Sequence, residues 1–165
     1  MQRAVRGFLW QQARYAAIAN AVLNGLFFYL SNMRMEKIPL AGALVDTLIT
    51  CGFVTCLVTW PTSHFTRKAV KAGFPAMEAN PLIGVLPVKW PLLFLLLWPA
   101  MAVAMGSLVC ASYWILGLDS IGFLPMLILK IVSMGVLGGG VAALVAARYL
   151  QPHAVGMTDA PAPST

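Results

Sequence analysis

Asp46 and Lys130 are single ionisable residues set inside otherwise apolar stretches of a 165-residue chain. A charge placed at the centre of a membrane helix costs about 2.5–3.5 kcal/mol on insertion scales, so such residues face a bundle interior and pair. Two opposite charges at similar depth therefore point to an ion pair between helices. The polar residues around them extend the idea. Asn20 and Asn24 are four apart, hence on one helical face, and Gly25 beside them permits close backbone approach. Asp46 and Thr50 form one row, and Thr47, Cys51, Thr55 and Thr59 form an adjacent row at a strict spacing of four. The expected site is an intramembrane polar cluster of Asp46 and Lys130, with Asn20, Asn24 and Thr50 as hydrogen-bonding support. Three readings stay open: a coupling site, a structural ion pair that fixes helix register, or a Lys130 that snorkels outward on its four-carbon stem.

The elements that must position these residues follow from composition. Sixty per cent of the chain is hydrophobic and only 10% is charged, which excludes an ordinary soluble domain and, with apolar runs of helical length, indicates a polytopic membrane protein. The expected fold is all-α, four transmembrane helices arranged as two hairpins. The spans fall at residues 13–32, 39–60, 90–116 and 121–149, each long enough for a hydrocarbon core of about 30 Å at 1.5 Å per residue. Residues 1–12, with Arg3, Arg6 and Trp10, read as a basic interfacial segment. Residues 13–60 make the first hairpin, 61–89 a proline-rich linker loop, 90–150 the second hairpin and 151–165 a disordered tail. A basic start before an apolar run also fits a signal peptide, but no small-x-small cleavage site follows, so the first span is taken as retained.

Basic residues set the orientation. Arg3, Arg6, Arg14, Arg67, Lys68, Lys71, Lys89 and Arg148 fall on one side, and Arg34 and Lys37 on the other. The positive-inside rule then puts both termini and the central loop in the cytoplasm. Arg67, Lys68 and Lys71 are the candidate contacts to lipid headgroups. With outer boundaries near Pro39 and Ile121, Asp46 lies about 10 Å inward, Lys130 about 13 Å and Asn24 about 12 Å, so all three share one layer.

Small residues supply candidate packing seams. In the fourth span Gly135, Gly139 and Ala143 recur every four residues, and in the third Ala100 and Ala104 do the same. A weak internal duplication is also legible. Setting Asp46 over Lys130 superposes Pro39 on Phe123 and Leu40 on Leu124, so the chain reads as two hairpins in parallel orientation.

Other chemistries lack their residues. Cys51, Cys56 and Cys110 show no C-x-x-C spacing, and His64 and His153 lie outside the spans. Neither a metal nor another cofactor is expected, nothing marks an enzyme, and the positive charge reads as a topology signal rather than a nucleic-acid footprint. ANAVLNG, IPLAGALVDT and TWP followed by a basic run, with Phe123 to Lys130 in the second half, resemble the pattern of small uncharacterised bacterial inner-membrane proteins. That resemblance implies a multi-pass protein of the bacterial cytoplasmic membrane and no activity. The expected partners are the bilayer and either other membrane subunits or further copies of the chain. Two roles are expected: an accessory or interaction subunit of a larger membrane assembly, or a small oligomeric transporter or channel centred on Asp46 and Lys130.

The basic-residue asymmetry yields a direct test of orientation. A reporter fused after Tyr149 should be cytoplasmic and one inserted near Met35 external; the reverse labelling at either position overturns the orientation.

Overall fold

The computed structural model describes residues 2–152. His153 and almost all of the expected disordered tail fall outside the described residues. Four long helices carry the fold: α1 (Gln2–Asn32), α2 (Leu40–Lys71), α4 (Trp90–Leu116) and α5 (Phe123–Tyr149). A short helix α3 (Pro81–Gly84) interrupts the central loop, and two three-residue strands, β1 (Lys37–Pro39) and β2 (Ser120–Gly122), precede α2 and α5. Three helices, α2, α4 and α5, are long and apolar enough to cross a membrane. α1 matches them in length but carries Gln12, Arg14, Asn20 and Asn24 among its apolar residues.

Two element boundaries differ from the sequence expectation. Residues 1–12 were expected as a separate interfacial segment, yet α1 runs unbroken from Gln2, and Val5 in its second turn is buried. The loop was expected to begin at 61. Instead α2 passes through Pro61 to Lys71, about 48 Å at 1.5 Å per residue. Proline removes one helical hydrogen bond. Here Thr62, Ser63 and Thr66, buried just beyond it, hold the last turns against the body of the protein. At the other end of the chain's second half, α4 stops because Gly117 takes the left-handed conformation (φ 61°) and its N–H closes on the carbonyls of Tyr113 and Trp114.

The helices pack crosswise between hairpins. α1 lies along α5, α4 lies along α2, and α2 meets α5 in the middle, whereas α1 barely touches α2 and α4 barely touches α5. Exchanging the hairpins reproduces the same pattern. β1 and β2 join on the exchange centre as an antiparallel pair with Ile38 opposite Ile121. Both isoleucines are buried, Tyr113 Oη donates to the Ile38 carbonyl at 2.7 Å, and Phe28, Val109 and Met126 complete a cap over this end. Because α2 and α5 begin at Leu40 and Phe123, the hairpins align with Thr47 on Lys130, one residue from the Asp46-on-Lys130 register expected.

The two crossed contacts are built differently. On α1, Ala13, Ala17, Ala21 and Gly25 repeat every four residues and face Gly139, Gly135 and Ile131 of α5. A Cβ at Gly139 would stand 2.9 Å from the Ala13 carbonyl oxygen, and one at Gly135 would stand 3.3 Å from that of Ala17. Ala143 is half-buried at the end of this seam. Backbones therefore touch, as in small-residue interfaces of membrane helices. On α4 the buried row is Leu93, Leu97, Met101, Met105, Val109 and Tyr113, all large. Ala104, expected to pack, is exposed together with Ala100. The Leu/Met row takes the buried face instead and meets α2, where Thr55 donates to Met101 Sδ at 3.3 Å; Trp98, beside the row, sits over Gly52.

The seam can be tested with two neighbouring glycines. Gly139→Leu should force α1 from α5 and lower the melting temperature, by the equivalent of about 1–3 kcal/mol or more. Gly140→Leu, whose added Cβ meets nothing within 4 Å, should melt near the wild-type temperature.

Candidate functional site: an intramembrane ion pair beside a cleft

Lys130 is 1% exposed, and its ammonium can be satisfied only by what α2 offers. Its Nζ lies 2.6 Å from Asp46 Oδ2 and 2.7 Å from Thr47 Oγ1, with the Phe28 ring centroid at 5.9 Å. Thr47 donates its own hydroxyl proton to the Ala43 carbonyl at 2.6 Å, leaving its oxygen free to accept from the lysine. The ammonium thus has a charged and a neutral acceptor on adjacent residues of one helix. Charge-assisted bonds of this kind are roughly twice as strong as neutral ones.

Asp46 differs from its partner in exposure. Its side chain is 25% exposed and borders a cavity of about 110 Å³ between α1 and α2. Asn20, Asn24, Thr50 and Ser31 supply the other polar lining, and Phe27 and Phe53 are among the apolar residues. Four of the five expected site residues therefore meet in one place: Asn20, Asn24, Asp46 and Thr50 around the cavity. Lys130 stands behind Asp46.

The supporting roles are redistributed. Asn24 Nδ2 donates to the Asn20 carbonyl at 2.7 Å, within its own helix, and Asn20 Nδ2 is buried without a partner against Gly138. Neither amide bonds the ion pair, and Thr50 makes no bond to it. Thr47 does, and sequence reasoning placed it only in the neighbouring row. The signal was present: the row Thr47, Cys51, Thr55 and Thr59 is fully buried, while the row of Asp46 and Thr50 is half-buried and faces the cleft. An unbroken spacing of four over three turns marks the helix face that is packed.

A second cavity of about 370 Å³ continues the cleft toward Pro61, lined by Gln12, Tyr15, Thr62 and Phe65 and sharing Asn20, Leu23 and Leu57 with the first. The slight contact between α1 and α2 is what leaves this space open along the side of the bundle.

At the end of the molecule that carries the central loop, the basic residues divide into two kinds. Lys68 and Lys71 are exposed, as headgroup contacts require. Arg67 is not turned outward: its Nη2 donates to the Val88 carbonyl at 3.0 Å and to Tyr149 Oη at 3.2 Å, and the guanidinium lies over the Tyr149 ring. Arg148 is buried and donates through Nε to the Leu86 carbonyl, and Tyr149 Oη donates to the Val88 carbonyl at 2.6 Å. These side chains bind the loop, because carbonyls before α4 have no helical partners of their own. The same loop gives its Met77 N–H to the Leu150 carbonyl, and Gln151 Oε1 accepts from the Asn80 N–H, so Gln151 is fixed rather than part of a loose tail.

No group of three or more His, Cys, Asp or Glu side chains able to hold a metal occurs among the described residues. No protein-family model matches the chain, and neither a curated protein nor a solved structure matches it.

The ion pair calls for a double-substitution test. Asp46→Asn strands a fully buried ammonium and should cost about 3–5 kcal/mol. Lys130→Met should cost less, because the carboxylate left behind borders a cavity. The double variant should recover much of the larger loss, whereas strictly additive losses in thermal melts would show that the two side chains do not interact.

Proposed function

We propose that the chain is an interaction subunit of a larger membrane assembly and that the cleft between α1 and α2 is where a partner transmembrane helix seats. One observation carries this reading. The half-buried Asp46 and Thr50 border a cleft that the chain's own helices leave open at its side, with the buried amides of Asn20 and Asn24 in its wall. In hydrocarbon such groups are costly, and neighbouring helices bearing polar residues are the usual way of covering them. In this arrangement α1 is the fourth span, both termini are cytoplasmic, and the protein resides in the bacterial cytoplasmic membrane.

A second reading has its own support. The cavity beside Asp46 touches a carboxylate with one oxygen bonded to Lys130, and the second cavity extends it toward the loop end, as a solute path in a small oligomeric transporter would require. The ion pair is then the coupling site.

The two are separable by asking what fills the cleft. Photo-crosslinking residues at Leu23 and Leu57, both on the cleft, should give adducts to one defined membrane protein, while the same probe at Val103, exposed on α4, should not. Native mass analysis after gentle extraction should then show that partner at fixed stoichiometry. Homo-oligomers or a retained solute, with no foreign adduct, would instead favour transport and overturn the interaction reading.

A further inference from the structure

Three consecutive glycines, Gly138, Gly139 and Gly140, stand in α5, and packing accounts for only two of them. Gly138 receives the Asn20 side chain and Gly139 the Ala13 backbone, whereas a Cβ at Gly140 would meet nothing within 4 Å. Glycine inside a helix costs about 1 kcal/mol relative to alanine. Gly140 forms part of the floor of an open groove of about 660 Å³ between α1 and α5. Ile18 and Val136 continue the apolar wall, and Arg6, Trp10 and Arg14, four residues apart on α1, occupy the end nearer the N-terminus.

The charges on this rim are of one sign. No acidic residue lines the groove, and neither arginine forms an ion pair among the described residues. Glu78, which borders a separate cavity with Arg6, accepts from Gln2 Nε2 at 2.6 Å. Helical side chains lean toward the N-terminus, so Arg14 reaches back along the groove toward Trp10 and Arg6. Trp10, 72% exposed, has the position and amphipathic ring of a residue at headgroup level.

We propose that this groove binds one phospholipid with an anionic headgroup, an acyl chain lying over Gly140 and the headgroup held by Arg14 and Arg6. A side chain at position 140 would occupy the path of the chain, which gives the third glycine a reason. The site is separate from the α1–α2 cleft and stands whichever occupant that cleft has.

Phosphatidylglycerol and phosphatidylcholine with identical acyl chains, offered in equal amounts to the full-length protein in neutral detergent, distinguish the parts of the proposal. Native mass spectrometry should show one retained lipid, with phosphatidylglycerol preferred. Arg6→Gln with Arg14→Gln should reduce that preference by about fivefold per arginine. Gly140→Leu should remove most of the retained lipid of either kind while helicity and melting stay near wild type. Should that variant not fold, Val136→Phe fills the same groove from the adjacent turn. Lipid retention unchanged by both groove-filling variants, no retention by the wild type, or a preference indifferent to the arginines would each overturn the proposal.

Discussion

A lysine at 1% exposure between apolar helices dictates much of this structure. An unpaired ammonium there would cost several kcal/mol, so α5 can pack only where α2 offers acceptors to Nζ. Asp46 and Thr47 are adjacent in sequence, about 100° apart around the helix, and both reach the same nitrogen. This fixes the rotation of α2 as well as its height. One residue of slip would carry Asp46 away from Lys130. The strand pair at Ile38 and Ile121 fixes the same register from the end of the bundle, since both α2 and α5 start directly after it. Ion pair and ladder therefore agree, and the helices that join them have no freedom to slide.

Crossed packing follows from what each helix has to offer. α1 presents alanines and a glycine, and only the glycine face of α5 lets its backbone come close enough to gain dispersion contacts at every turn. α4 presents a row of leucine and methionine that packs with Cys51, Val54 and Val58 of α2 in one core cluster, while Gly52 makes room for Trp98 beside the row. Neither first helix of a hairpin fits its own second helix. The hairpins are thereby interlocked, and the central loop, held by Arg67, Arg148 and Tyr149, joins them without contributing a helix to the core.

Much of this was legible in the sequence, and the parts that were not share a cause. Helix number, the Asp46 and Lys130 partnership and the Gly135–Gly139 seam could be read because each rests on residue types that are costly or permissive at membrane depth whatever surrounds them. The alanine stripe on α1 passed unnoticed, since alanine is neutral everywhere and becomes informative only opposite glycine. Ala104 failed for the converse reason: a small residue permits close approach without requiring it, and the large row on the other face of α4 won the contact. Charge alone marks Arg67 as a headgroup ligand, because the Val88 carbonyl it bonds lies 21 residues away and leaves no trace in the local pattern. The three-residue strands, too short for any alternation, left no trace in the hydrophobic pattern.

The near-equivalence of the two hairpins sharpens what is distinctive in the first. Both leave their own helices almost out of contact, so both could open a cleft at the side. Large side chains fill the space around α4, with Leu93, Leu97, Met101 and Met105 continuous in one core cluster. On α1 the small residues Ala13, Ala17, Ala21 and Gly25 are gathered on the face toward α5, whereas the face toward α2 mixes Asn20 and Asn24 with Tyr15, Leu23 and Phe27 and leaves a cavity beside Asp46. The small face draws α1 against α5, and the bulkier, partly polar face left toward α2 meets it only slightly. Close packing on one side of a helix and an open polar cleft on the other are, in this chain, two results of one composition.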